Sequence, residues 1–342
     1  MITLLATVFV FGMIVLIHEL GHFITAKWSG MRVDEFAIGF GPKLIGIQKG
    51  ETLYSIRLIP LGGFNRIAGM SPEEELDNRS FLNKPVWKRF IVIAAGATFN
   101  FLLAIVLFFI VFAGVGTQKI STEATIGHIA PGSPAAMAHL ELHDKITLIN
   151  GQPVTQWADI GDRLQGTAHH AIDITVERDG QSVTTTVIPN DDKGRAIIGI
   201  NPETYYESMS IGQAAQMAVL QTGAVIYGMV DGLVQMIAHA QGENLSGPVG
   251  VAQMAGQVAS VGFVPLLMFT ALLSINLGVI HLLPLPVLYG GNFVLLLIEG
   301  ITGKKLPPKA LQYVQLAGVA LLLLLFLYAT TQDVTRLIHS LF

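Results

Sequence analysis

Apolar residues run in long blocks along this chain, separated by stretches where they alternate with polar residues or give way to glycine. Three blocks are long enough to cross a hydrocarbon core of roughly 30 Å, which takes about 20 helical residues. They extend from about Ile2 to Trp28, Phe90 to Gly116 and Leu311 to Thr331. A fourth, from about Phe263 to Leu283, leads into a Pro/Gly-rich stretch instead of a clean stop. The pattern changes between Ala124 and Pro202. There Ile172, Ile174 and Val176 alternate with polar residues, Asp179-Gly180 supplies a hairpin turn, and Val183, Thr185 and Val187 resume the period of two. Met217 to Ala240 is apolar, glycine-containing and helix-compatible, and reads as an interfacial helix that lies along the membrane.

Composition agrees with a membrane solvent. Of the 342 residues, 51% are hydrophobic and 13% charged, well under the roughly 25% charge of soluble domains. The fold class expected is a polytopic α-helical membrane protein with about four transmembrane helices, a re-entrant β-loop and one inserted, extracytoplasmic β-rich domain. The bounds are 1–116 for the first part of the membrane core, 117–203 for the β-rich domain, 204–262 for the amphipathic segment and 263–342 for the second part of the core. A net charge of -4 without a long basic run gives no footprint for nucleic acid. Zero cysteines exclude disulfides and thiolate metal sites. The first block has no basic n-region and no clear small-residue cleavage site before Lys27, so it reads as a retained span.

Loop charge sets the orientation. The connection between the first two spans carries nine Lys/Arg, and the short one before the last span carries Lys304, Lys305 and Lys309. Both are expected in the cytoplasm. The region from Thr117 to Gly262 has six Lys/Arg against fourteen Asp/Glu and is expected outside, together with both termini.

Chemistry concentrates in the first span, at His18-Glu19-Leu20-Gly21-His22. Two histidines at i and i+4 share one helical face, so both imidazoles reach one metal ion, and the intervening Glu is placed to take a proton from water. Ionisable groups cost about 2.5 to 3.5 kcal/mol at the centre of a membrane helix, so three in one span call for a functional reason. His18 and His22 are the candidate Zn2+ ligands and Glu19 the candidate catalytic base. A metal site in the membrane implies peptide hydrolysis on an extended substrate, whose backbone hydrogen bonds must be met inside the bilayer. Glycine-rich runs containing Gly39, Gly41, Gly62 and Gly63 are candidates for a β-loop that meets them.

Several further runs carry a resemblance. FAIGFGPKL from Phe36, SIRLIPLGGF from Ser55, Lys84 to Phe90, Gly96 to Phe101, Leu245 to Gly250 and Ser274 to Gly278 look, with the HELGH motif, like the site-2 proteases, in particular the bacterial regulator-of-sigma-E protease branch. The stretch Gly127 to Val154 resembles bacterial PDZ domains, which bind extended peptides at a sheet edge. His139 and His143 stand where that domain family often has glycine. The resemblance implies an intramembrane zinc metalloprotease that cleaves transmembrane substrates such as anti-sigma factors or signal-peptide remnants. It also implies a protein or peptide segment at the PDZ-like domain. Asn100, Pro284 and Pro286 join the four glycines as candidate substrate-binding positions.

The chain departs from the family's second signature, approximately NLLPxPxLDGGH, whose Asp is the third zinc ligand. Here the stretch runs from His281 to Asn292: the Asn has become His281, the Asp Tyr289 and the trailing His Asn292. Two readings follow. Either His281 or Tyr289 replaces the missing ligand in a working protease, or the chain is a catalytically impaired homologue that binds membrane peptides.

Overall fold

The computed structural model describes residues 1–70, 76–239, 247–284, 289–303 and 308–341. It divides into a helical unit, 1–113 with 210–342, and a β-rich unit, 114–209. The helical unit contains α1 (Ile2–Trp28), β1 (Val33–Lys49), β2 (Thr52–Ile67) and α2 (Val86–Gly114). The β-rich unit follows with β3 (Thr117–Ile120), β4 (Ile126–Ile129), α3 (Pro134–Met137), β5 (Lys145–Ile149), β6 (Gln152–Pro153) and α4 (Trp157–Leu164). Its second half holds β7 (Ile172–Arg178), β8 (Gln181–Val187), β9 (Asn190–Asp192), β10 (Arg195–Ile197), β11 (Ile200–Pro202) and β12 (Thr204–Glu207). The chain then returns to the helical unit through α5 (Ile211–His239), α6 (Pro248–Val261), α7 (Phe263–Leu282), α8 (Tyr289–Thr302) and α9 (Pro308–Leu341).

Every fourth residue of α1 from Ala6 is buried: Ala6, Val10, Ile14, His18, His22 and Ala26. The same spacing recurs in α2, where Val92, Gly96, Asn100, Ala104, Phe108 and Phe112 are buried. Two such stripes pack closely when small residues let the backbones approach. Gly21 does so: a Cβ there would lie 2.7 Å from the carbonyl oxygen of Ala95 and 2.9 Å from the Phe99 ring. Gly278 of α7 receives the Phe101 ring in the same way, and Ser274 Oγ donates to the Asn100 carbonyl at 2.8 Å. Leu4, Leu5, Leu16 and Ile24 of α1 and Leu102, Val106 and Ile110 of α2 are exposed apolar side chains, as a lipid-facing surface requires.

Four described helices are long and apolar enough to cross a membrane: Ile2–Trp28, Val86–Gly114, Ile211–Met236 and Phe263–Leu282. Three match sequence-derived spans. The fourth, Ile211–Met236, lies in the segment that the sequence reads as interfacial, and its mean hydropathy of 1.5 is below the 2.1 to 2.5 of the other three. The sequence-derived span at Leu311–Thr331 falls inside the 34-residue α9, many of whose side chains lie outside the described residues.

α6 begins at a clamp. The Asp333 carboxylate of α9 accepts from the backbone N–H of Gly247 at 3.0 Å and of Gly250 at 2.8 Å, supplying partners for amides at the helix start that have none within the helix. A Cβ on Gly250 would lie 2.7 Å from Asp333 Oδ1, which explains the glycine. In the same unit, the buried Arg89 of α2 pairs with Glu299 of α8 at 2.5 and 3.0 Å, tying α8 to α2.

β1 and β2 are long, bent and antiparallel, and the start of β1 pairs with two parts of β2: Phe36 lies opposite both Asn65 and Tyr54. Phe40, Leu44, Ile45, Ile47, Ile56, Leu58 and Ile59 of this hairpin are exposed, an apolar surface compatible with a β-loop that enters the bilayer. The β-rich unit is built on the sheet β6-β5-β7-β8. Its β7-β8 hairpin turns at Asp179 (φ 50°) and Gly180 (φ 75°), both left-handed as a two-residue hairpin turn needs. β12 pairs with β3, so the unit extends past residue 203 to Glu207. His139 and His143 adopt φ of 56° and 69°, which accounts for glycine being suited to those positions.

Candidate metal centre

The i, i+4 stripe of α1 that faces α2 carries both histidines of the HELGH motif, and both are buried. Their Nε2 atoms lie 3.2 Å apart. Two Zn–N bonds of about 2.0–2.1 Å at a tetrahedral angle hold their nitrogens about 3.3 Å apart. The pair therefore already has the spacing of two ligands on one ion.

Gly96 of α2 lets both rings come this close to the helix. A Cβ there would lie 2.6 Å from His18 Nε2 and against His22 Nε2, so glycine keeps open the ground both nitrogens face. Each ring is oriented through its other nitrogen. His22 Nδ1 donates to the Val92 carbonyl at 2.7 Å, which leaves the lone pair on Nε2. His18 Nδ1 lies 3.2 Å from the side-chain amide of Asn100, a fully buried residue of the facing stripe.

His281 ends α7 beside this pair. Its ring centroid is 4.5 Å from that of His18, and its Nδ1 donates to the Leu277 carbonyl at 2.8 Å, which makes Nε2 the nitrogen able to ligate. Among the described residues, no three His, Cys, Asp or Glu side chains already form a metal-ligand set. Two imidazoles already have the spacing of ligands, and a third ring adjoins them. The start of α8 packs on the end of α7, because Gly290 lies against the Leu282 and Leu283 backbone where a Cβ would not fit. That brings the Tyr289 backbone to the end of α7. The Tyr289 side chain and Pro286 lie outside the described residues.

Glu19 is buried on the neighbouring face of α1. The β2 segment after Gly62-Gly63 runs against it: a Cβ on Gly63 would lie 3.1 Å from Glu19 Cγ and 2.8 Å from the Ala37 carbonyl oxygen. Asn65 Nδ2 donates at 2.7 Å to both the backbone oxygen and Oε2 of Glu19.

His18, Glu19, His22, Asn100, Gly63 and His281 are thus brought together. Gly39 and Gly62 serve the hairpin itself. Gly39 has φ 90° and its absent Cβ would lie 2.7 Å from the Ile59 carbonyl oxygen, while Gly62 accommodates the Phe40 ring. Gly41, at φ 81°, lies within β1 at the register shift between Phe40 and Lys43, and Pro284 is exposed just beyond α7. Sequence reasoning did not single out Asn65 or the Val92 carbonyl, and it quoted Gly96 only as part of a motif.

Comparison with known proteins gives the family. The model of peptidase family M50 matches residues 6–325. A relative from Clostridium acetobutylicum is 36% identical over 327 residues, covering 95% of each chain. The regulator of sigma-W protease RasP of Bacillus subtilis is 32% identical over an alignment of 418 residues that covers 98% of this chain and 99% of that one. The zinc metalloprotease RasP of Oceanobacillus iheyensis is 31% identical, with 98% and 100% covered. A solved PDZ domain of an SdrC-like protein from Listeria monocytogenes overlaps 25% of this chain and 92% of its own at 20% identity. Its TM-score is 0.22. With the family model spanning nearly the whole chain and relatives aligned end to end, the chain belongs to peptidase family M50, the site-2 proteases.

Proposed function

We propose that this chain is a membrane-embedded zinc endopeptidase that cleaves transmembrane segments of other proteins, of the anti-sigma-factor or signal-peptide-remnant kind. The observation that carries this reading is the pair of Nε2 atoms 3.2 Å apart over the notch at Gly96. His18 and His22 hold the ion, and His281 takes the third position left by the missing carboxylate. Imidazole is an ordinary zinc ligand, and three histidines with one open position form a known type of catalytic site. A bound zinc ion polarises the scissile carbonyl and makes water a nucleophile near neutral pH.

The chain's own residues do the rest. Glu19, next to His18 in sequence and buried with both histidines, takes a proton from water and passes it to the leaving amine. The edge strand containing Gly63 and Asn65 offers backbone groups to an extended substrate, which meets hydrogen bonds that lipid cannot supply. Pro284, Pro286 and Asn100 complete the substrate-binding positions. The alternative, a catalytically impaired homologue, is the weaker reading because the base and two ligands are intact and a third imidazole adjoins them.

The placement proposed is the cell membrane, with the β-rich unit and both termini outside the cytoplasm and that unit acting as a PDZ-like binder of a peptide or protein segment. The test is cleavage of a model transmembrane substrate by detergent-purified protein. Wild type should cleave and carry zinc, and Glu19→Gln should keep the zinc and lose turnover. A Glu19→Gln protein as active as wild type would refute the assignment.

A further inference from the structure

We infer that Asn65 is a positioning residue for Glu19, one that sets the direction in which the carboxylate presents its free oxygen. Asn65 sits in β2, two residues after Gly63, and reaches across to α1. Its side-chain nitrogen lies 2.7 Å from two acceptors of one residue, the backbone oxygen of Glu19 and Oε2 of the same side chain. A backbone carbonyl only accepts, so the group facing it is the NH2 and the orientation of the amide is fixed. Its two hydrogens go one to each acceptor.

Three consequences follow from this fork. The carboxylate is tied to the backbone of its own helix through one nitrogen, which removes its freedom to rotate away from the histidines. Oε2 is engaged, so Oε1 is the oxygen left to take a proton. The backbone bond ties β2 to the metal-bearing turn of α1, and the glycine at 63 permits that approach, since any side chain there would meet Glu19 Cγ. The amide's own Oδ1 is buried without a partner among the described residues. Asn65 therefore donates to Glu19 and accepts from none of the described residues, an arrangement that packing alone does not call for.

This inference rests on the protease reading, and the experiment separates the two. Asn65→Leu removes both donors while keeping the number and branching of side-chain heavy atoms, and Asn65→Asp keeps the shape while placing acceptors where the donors were. In full-length protein in detergent, both should lower kcat on a model transmembrane substrate by about tenfold or more, the cost of one lost orienting hydrogen bond. KM should stay within about twofold, and zinc content should hold. Asn65→Asp, which sets like charges together, should fall further than Asn65→Leu. A second readout needs neither metal nor turnover. The carboxylate stretch of Glu19, identified in metal-free protein as the infrared band lost in Glu19→Gln, should be displaced in Asn65→Leu. A kcat at the wild-type level in Asn65→Leu, or an unmoved infrared band, overturns the inference while leaving a Glu19-dependent protease in place. Zinc-loaded wild type that cleaves nothing overturns the protease reading, and a catalytic role for Asn65 with it, even if the band moves.

Discussion

The side-chain nitrogen of Asn100 lies 3.2 Å from Nδ1 of His18, one helix across from it, while Oδ1 of the same amide is buried without a partner among the described residues. The heavy atoms leave the amide's two orientations open. Turned by half a rotation, Asn100 accepts from His18 Nδ1–H, its oxygen gains a partner, and His18 Nε2 keeps the lone pair that a metal needs. Asn100 then does for His18 what the Val92 carbonyl does for His22.

Replacing Asn100 therefore tests which tautomer His18 adopts when metal is bound. Asn100→Asp preserves an acceptor for Nδ1–H and should retain zinc. Asn100→Leu removes it and should weaken zinc binding about 10- to 100-fold, as losses of ligand-orienting partners do. Competition with a chelator of known affinity reads both. Equal zinc affinity in Asn100→Leu and wild type would show that this amide does not orient the ligand.

Gly96 should tolerate no side chain. In Gly96→Ala the methyl group would meet the Nε2 atoms of both histidines, so the α1–α2 contact must open, at a cost of about 1–3 kcal/mol for an overpacked site. Thermal unfolding should shift down and zinc content should fall together. Zinc retained at full occupancy in Gly96→Ala would mean that the ion sits elsewhere.

How much of this was legible in the sequence depends on where the information lies. The spacing of His18 and His22 is local, so the helical period by itself places both on one face. The β7-β8 hairpin is equally local, since Asp179-Gly180 states its own turn. Asn65 carries no such signal, because a single Asn after Gly-Gly-Phe gains its role only when β2 folds back against α1. Gly96 reads as one glycine among many in an apolar span until His18 and His22 face it. The helix from Ile211 to Met236 shows a different limit: hydropathy and length mark it as able to cross a bilayer, but neither records whether it stands in the membrane or lies along it.

Acid should loosen the anchor of the β1-β2 hairpin. Glu51, at its turn, accepts from Arg79 and Lys27, and these bonds hold its carboxyl at about 2, below the ordinary 4.5. A carboxylate depressed in the folded state adds stability that is complete above its unfolded value and is lost as pH falls through the folded one. The hairpin tip should thus be protected above about pH 4.5 and lose protection progressively toward pH 2. Hydrogen exchange of residues 49–54 across that range measures this, with Glu51→Gln as the control that should lack the transition. An identical pH dependence in the control would assign it to another group.

The central claim is that His281 completes the metal site in place of a carboxylate at position 289. Zinc bound per chain, measured on detergent-purified wild type, His22→Ala, His281→Ala and Tyr289→Phe, tests it most directly. Wild type should hold one zinc at a high affinity, since three imidazoles suffice for a catalytic ion. His22→Ala and His281→Ala should both lose it on dialysis, and Tyr289→Phe should keep it. Full zinc retention in His281→Ala, or its loss in Tyr289→Phe, would contradict the account and move the third ligand to Tyr289 or beyond.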